Sequence, residues 1–371
     1  MKGKVKERKV KSSKKGKPVK ATLSGTVRIR AGDLKAYEKT KHGWKLSKKE
    51  FPEAAHLVDL FRAHGSFDVL VDAKNPEFLK GQLSPDGKCQ GARVNILPDG
   101  RKLDKAYSIL ADHLMVHDEA SNEHWDIIYR NPNGKYAYVY TLEKERKHVQ
   151  EKYREVEKFE ELYPVLQKNV AKALEDEGDE MAMPMYTLLR TCMRVGNEIY
   201  YKAHGHKGLT TLKKDDIMIK GNEVTFVYLS KGGIPQVVRE EFPEAYVKRL
   251  SKMLSPLKPQ DFVFVNRETG HPLNDMHFKK AFERYCGHPF YPHIVRSFYA
   301  TERAKEFLAS HKNGSVKKKE LLEFYRYLAN RLGHKRFAKK ENEWKDSYTV
   351  TIHHYIDPEV LGRLDALVKK R

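Results

Sequence analysis

The stretch CMRVGNEIYYKAHGHKGLTTL, from Cys192 to Leu212, constrains the fold most. Leu188, Cys192, Val195 and Ile199 recur at i, i+4, i+7 and i+11, the period of one buried helical face. Pro184 suits the first turn of such a helix. Gly205 and Gly208 end it, and Leu209-Thr210-Thr211-Leu212 leads toward a hairpin. Arg194 lies off the apolar stripe, so its guanidinium is expected to point away from the core. The same placement also suits a surface ion pair with Glu198, one turn on.

The next segment predicts three antiparallel strands. Ile217 to Lys220, a Gly221-Asn222 turn and Val224 to Leu229 form one hairpin. Lys231-Gly232-Gly233 makes the second turn, and Pro235 to Arg239 the third strand, which puts Lys231 at a hairpin tip. Beyond residue 240 the pattern is mostly helical. The last helix carries Leu361, Leu364, Leu367 and Val368 on one side.

Charge bounds the partners. The 371 residues carry a formal net charge of +21, with a pI near 9.5. Residues 1–21 alone hold nine Lys, one Arg and one Glu, with no aromatic or large aliphatic residue beyond valine to form a core. They are expected to be a disordered basic tail that grips phosphates or serves as a nuclear localisation signal. A polyanionic partner follows, nucleic acid before an anionic membrane surface. No stretch has the length of apolar sequence a membrane span needs, and the N-terminus lacks a signal-peptide core. Cys89, Cys192 and Cys286 are few, odd in number and far apart, which fits a reducing compartment. Neither they nor the histidines have metal-ligand spacing, so no metal is expected.

Residues 22–142 read as a mixed, β-containing domain. Thr26 to Arg30 and Phe67 to Val71 have strand character. Trp125 to Tyr129 and Tyr136 to Tyr140 flank Asn131-Pro132-Asn133-Gly134 as a hairpin, and Leu103 to Leu114 reads as a short helix before it. Residues 143–176 alternate acidic and basic side chains, predicting a solvent-laced helix and then a second helix from Leu162.

Several short motifs follow one another in a telling order. They are Arg194-Val195-Gly196-Asn197-Glu198 with Tyr200, Gly208 to Leu212, Ser230-Lys231-Gly232-Gly233, and His293-Ile294-Val295-Arg296. Leu332-Gly333-His334 and Tyr355-Ile356-Asp357-Pro358 complete the set. Over roughly residues 150–371 this series resembles the catalytic domain of type IB DNA topoisomerases, the poxvirus and bacterial kind. That family shares its core with the tyrosine recombinases and the eukaryotic enzymes. The resemblance implies an α+β protein: a β-rich N-terminal domain over residues 22–142, and a mostly helical catalytic domain over 143–371 built on a three-stranded antiparallel sheet. It implies that the two close as a clamp around duplex DNA.

The resemblance also assigns roles. Arg194 and Arg296 supply charge to the scissile phosphate through planar, bidentate contacts. His334 donates to a phosphoryl oxygen, and Lys231 protonates the leaving 5′-oxygen. Tyr355 attacks and forms a 3′-phosphotyrosine. His293 stands where the topoisomerases commonly have lysine, a feature shared with the recombinases, and is expected to contact a DNA phosphate. The 21 residues from His334 to Tyr355 exceed the usual connection. The excess, Lys335 to Lys345, reads as a charged surface loop, and it brings in Tyr348 as an alternative nucleophile. Tyr355 is preferred for its Tyr-Ile-Asp-Pro context.

The implied activity is relaxation of positive and negative supercoils by a monomer that uses no ATP, metal or other cofactor. Its place is inside the cell with DNA: cytoplasm or nucleoid, or nucleus if the tail is a localisation signal. A tyrosine recombinase or integrase is the first alternative. A non-catalytic architectural DNA-binding protein is the second, and it leaves the ordered Arg, Lys, Arg, His and Tyr unexplained.

Overall fold

In the computed structural model, residues 22–117, 125–311, 316–338 and 340–368 are described. The basic tail, residues 1–21, lies outside them. The chain divides between Val149 and Gln150 into two compact units.

The first unit is antiparallel β-structure around one helix. Its elements are β1 Val27–Ile29, β2 Ala36–Thr40, β3 Gly43–Leu46, α1 Pro52–Ala63, β4 Gln82–Leu83, β5 Cys89–Gln90, β6 Val94–Ile96, β7 Lys102–Tyr107, β8 Asp112–Val116, β9 Ile127–Arg130 and β10 Tyr136–Val139. They form a five-stranded sheet ordered β3-β2-β1-β4-β5, a three-stranded sheet β10-β9-β8 and the pair β6-β7. Pro52 opens α1, whose Ala54, Leu57, Val58 and Phe61 form one buried helical face. They share a core with Ile29, Leu70, Leu79, Tyr107, Ile127 and Val139. The expected strand at 26–30 and the hairpin across Asn131–Gly134 are present, the latter turning at Gly134 with φ +79°.

Two expectations in this unit fail. Leu103 to Leu114 is not a helix but the strands β7 and β8. Leu103 and Tyr107 are both buried, and positions four apart share a face in a strand as well as in a helix. Backbone bonds decide the matter, since the Asp104 N–H donates to the Tyr140 carbonyl at 2.9 Å. Phe67 to Val71 is not a strand but a 3₁₀ turn at Asp68–Leu70, where the Asp68 N–H donates to Ser66 Oγ at 3.1 Å.

The long helix α2, Leu142–Ala173, contains the division between the units. Two helices were expected here, yet one runs unbroken through Pro164. A proline inside a helix costs about 3 kcal/mol. Tyr153, Val156, Phe159, Leu166 and Val170 bury a stripe on both sides of it, which offsets that cost.

The second unit continues with α3 Ala182–Thr191, α4 Glu198–His204, β11 Ile217–Lys220, β12 Glu223–Ser230, β13 Ile234–Glu241, α5 Glu244–Leu254, α6 Asp275–Cys286, α7 Ile294–Ser310, α8 Lys318–Arg331, β14 Lys335–Ala338, β15 Glu343–Asp346, α9 Thr349–His354 and α10 Pro358–Leu367. The three-stranded antiparallel sheet β11-β12-β13 is as expected. Phe159 of α2 meets Phe282, Phe290 and Phe298, its ring centre 6.0, 5.0 and 5.1 Å from theirs. The charged insertion after His334 is not a loop but the hairpin β14–β15, in register from Lys335↔Asp346 to Ala338↔Glu343. Phe337 faces Trp344 across it, a cross-strand aromatic pair that favours sheet over loop. The fold is α+β, a β-rich unit followed by a mostly helical one. Among the described residues no helix is long and apolar enough to cross a membrane.

Candidate active site

The helix expected to run through Cys192 to Ile199 breaks. Thr191 ends α3, Cys192 takes a left-handed conformation at φ +54°, and α4 starts only after Asn197. Asn197 caps α4, its side chain accepting from the Tyr200 N–H at 2.9 Å. Ile199 is 80% exposed. The reason lies in the Gly-Leu-Thr-Thr-Leu stretch. The N–H groups of Leu209 and Thr210 donate to the carbonyls of Arg194 and Val195 at 2.8 and 2.7 Å, so these carbonyls are spent on a distant strand of chain. Gly196, at φ +103°, passes against Gly208, where a β-carbon would stand 2.6 Å from the Arg194 carbonyl oxygen. Arg194 therefore sits on a clamped loop rather than on a helix. Glu198 pairs with Lys202, not with Arg194.

Arg296 lies in the first turn of α7 and is 2% exposed. Nη1 donates to the Cys192 carbonyl at 2.6 Å, and Nη2 to the Leu332 carbonyl at 2.8 Å. Nη2 is also 3.0 Å from His334 Nε2. Its Nε is buried with no hydrogen-bond partner among the described residues. His334 follows Gly333, which turns the chain out of α8 at φ +65°. With Nε2 accepting from Arg296, Nδ1 carries the hydrogen and donates to Thr351 Oγ1 at 2.8 Å. Burial first, then the charges of Arg296 and Arg194, push the His334 imidazole down to about 3. It is neutral at ordinary pH.

Tyr355 ends α9 and is 5% exposed. Its hydroxyl is 3.3 Å from Arg194 Nη2 and 3.0 Å from His293 Nε2. The Arg296 guanidinium carbon and Lys152 Nζ lie 5.2 and 5.5 Å from its ring centre. The backbone is held as firmly as the ring. Lys152 Nζ donates to the His354 carbonyl, and the Tyr153 hydroxyl to the Ile356 carbonyl at 2.7 Å. Thr301 Oγ1 donates to the Tyr355 carbonyl at 3.3 Å and accepts from the Asp357 N–H at 3.1 Å. The Asp-Pro pair then starts α10: Asp357 caps it, and Pro358 fills its first turn.

His293 immediately precedes α7. The expectation gave it a DNA phosphate, and here its Nε2 faces the Tyr355 hydroxyl. Burial, then the cations Arg296, Arg194, Lys152 and Lys231, hold its imidazole down to about 3. The two atoms share one hydrogen bond whose direction follows the imidazole tautomer. Lys231 sits at the tip of the β12–β13 hairpin beside Gly232 and Gly233, both at positive φ. It is exposed, nothing among the described residues pairs with its ammonium, and it lines an open pocket with Arg194. Tyr348 lies at the other end of α9, in a pocket with Arg326, Arg336 and Trp344. Its ring neighbours Tyr325 at 6.1 Å.

The fold thus gathers Arg194, His293, Arg296, His334 and Tyr355 into one cluster, with Lys231 at its open edge and Tyr348 apart. Sequence reasoning missed Lys152, Tyr153, Thr301 and Thr351. Only the Tyr153, Val156, Phe159 spacing marks a buried face on α2 near them. The cluster sets Arg194 and the neutral His293 at one hydroxyl, with Arg296, His334 and Lys152 about its ring, which suits attack on a phosphodiester.

Residues 142–354, more than half of the chain, match the family described as eukaryotic DNA topoisomerase I, catalytic core. Among solved structures the chain is similar to XerH site-specific recombinase bound to difH substrate in a pre-cleavage complex. Identity is 20% over 47% of this chain and 46% of that one, with a TM-score of 0.33. It is also similar to XerA recombinase, at 16% identity over 56% of this chain and 64% of that one, with a TM-score of 0.34. Each match spans less than two thirds of the solved chain. No curated protein matches. On the match over 142–354, the chain belongs to the family of the eukaryotic DNA topoisomerase I catalytic core.

Proposed function

We propose that the protein is a type IB DNA topoisomerase that relaxes supercoils of both signs through a 3′-phosphotyrosine at Tyr355. The observation that carries this reading is the Tyr355 hydroxyl lying within hydrogen-bond reach of both Arg194 and His293. A duplex phosphate entering this cluster meets Arg194 and Arg296, whose charge offsets the charge that builds on the non-bridging oxygens. The Tyr355 oxygen bonds to phosphorus as its proton leaves to solvent, with His293 Nε2 holding that oxygen and Arg194 offsetting its charge. The bond from phosphorus to the 5′-oxygen breaks, and Lys231 protonates that oxygen. His334 orients Arg296, while Lys152 and Tyr153 fix the backbone on either side of the nucleophile. One phosphate ester replaces another, so the strand rotates and reseals without ATP or metal. The protein works as a monomer wherever duplex DNA is held in the cell.

His293, in place of the lysine common in topoisomerases, favours a second reading, a tyrosine recombinase. The two predict different products. Supercoiled plasmid incubated with the protein in EDTA, without ATP, relaxes under the first reading. Joining of two marked duplexes without general relaxation supports the second, and a strict need for magnesium and ATP overturns both.

A further inference from the structure

The hairpin carrying Lys231 and the loop carrying His334 are tied together through Gln236. Gln236, on β13, is 7% exposed. Its two amide hydrogens meet two acceptors: Nε2 is 3.2 Å from Ser230 Oγ and 2.9 Å from the Gly333 carbonyl. Ser230 immediately precedes Lys231, and Gly333 immediately precedes His334. The Ser230 hydroxyl passes its own hydrogen to the Ile234 carbonyl at 3.2 Å, closing the base of the hairpin turn. The approach to Gly333 is close: a β-carbon there would stand 2.6 Å from Gln236 Oε1. A second tie joins the same two segments, as Lys335 Nζ donates to the Pro235 carbonyl at 3.3 Å.

Lys231 needs such a frame. Two glycines follow it, and nothing among the described residues fixes its ammonium. A proton donor works only within hydrogen-bond reach of the leaving oxygen, and a misplacement of about 1 Å costs on the order of 100-fold in rate. His334 contacts Arg296, so the Gly333 carbonyl belongs to the phosphate-binding side of the cluster. We infer that Gln236 is a positioning residue that sets Lys231 at the leaving group, by bonding the root of its hairpin to the His334 loop. The inference rests on the topoisomerase reading above.

The test uses the full chain and a nicked duplex carrying a cleavage site mapped with the unaltered protein. One version has the ordinary 5′-oxygen at the scissile phosphate, the other a bridging 5′-sulfur. Sulfur leaves as a thiolate and needs no proton donor. Gln236→Met keeps the length of the side chain and removes both donors. It is expected to slow single-turnover cleavage of the oxygen duplex by about 10- to 100-fold. DNA binding and cleavage of the sulfur duplex should stay at the unaltered rate. Lys231→Ala should show the same pattern more strongly, and adding Gln236→Met to it should slow cleavage no further. A misfolded variant would lose both duplexes, so the sulfur duplex also reports folding. Gln236→Asn, which keeps the donors on a shorter arm, should fall between. Oxygen-duplex cleavage by Gln236→Met at the unaltered rate, or equal slowing on both duplexes, overturns the inference and leaves the topoisomerase reading standing. Failure of the unaltered protein to form any covalent adduct overturns that reading itself.

Discussion

The hydroxyl of Tyr355 stands 3.0 Å from Nε2 of His293, and the imidazole is held neutral by burial beside Arg296, Arg194, Lys152 and Lys231. The partner of the Tyr355 hydroxyl therefore keeps one charge state over a wide range. The cleavage step should show no loss near pH 6.5, where an ordinary histidine gains its proton. A single-turnover pH profile that falls tenfold between pH 7.5 and 5.5, with binding unchanged, would remove His293 from this role.

The same burial makes a stability prediction. His293 and His334 are both held down to about 3, against an ordinary value near 6.5. Between these values the unfolded chain binds protons that the folded chain refuses. Their contribution is thus complete above about pH 6.5 and is lost as pH falls toward 3. The melting temperature should drop from pH 7 to pH 5. The double variant His293→Gln/His334→Gln should drop less steeply, and equal slopes would refute the assignment.

Arg194 and Arg296 should separate in stability while sharing a loss of cleavage. Arg296→Ala leaves the Cys192 and Leu332 carbonyls without their donors, each costing about 1–3 kcal/mol. Among the described residues the Arg194 side chain donates only to Tyr355, so Arg194→Ala should cost about 0.5–1.5 kcal/mol. Urea unfolding of both variants measures the difference. Equal destabilisation would show that Arg194 is as structural as its partner.

Lys152→Met should slow cleavage by about tenfold, the cost of a misaligned nucleophile, without weakening DNA binding. The ammonium grips the carbonyl before Tyr355 and faces its ring, and Lys152→Arg should restore part of the rate. A filter-binding titration beside the cleavage assay checks it. A loss confined to binding would make Lys152 a phosphate contact instead.

The residues that gather around Tyr355 were legible in the sequence because their order and short motifs are local. The β11-β12-β13 sheet was legible because glycines mark both its turns. The loop of Arg194 was not. Leu188, Cys192, Val195 and Ile199 fit a helical stripe, and only the long-range bonds from Leu209 and Thr210 break it. Leu103 and Tyr107, four apart, fit helix and strand alike. Lys152 sits in a run of charges and gains its place only when α2 meets the segment at His354, some two hundred residues on.

The most direct test of the account is to locate the covalent link. Supercoiled plasmid is incubated with the protein in EDTA, the reaction is stopped with denaturant, and the adduct is digested and sequenced by mass spectrometry. The account predicts relaxed plasmid and a phosphotyrosine at Tyr355, with Tyr355→Phe inert and Tyr348→Phe active. A phosphate on Tyr348, or relaxation that survives in both variants, would contradict it.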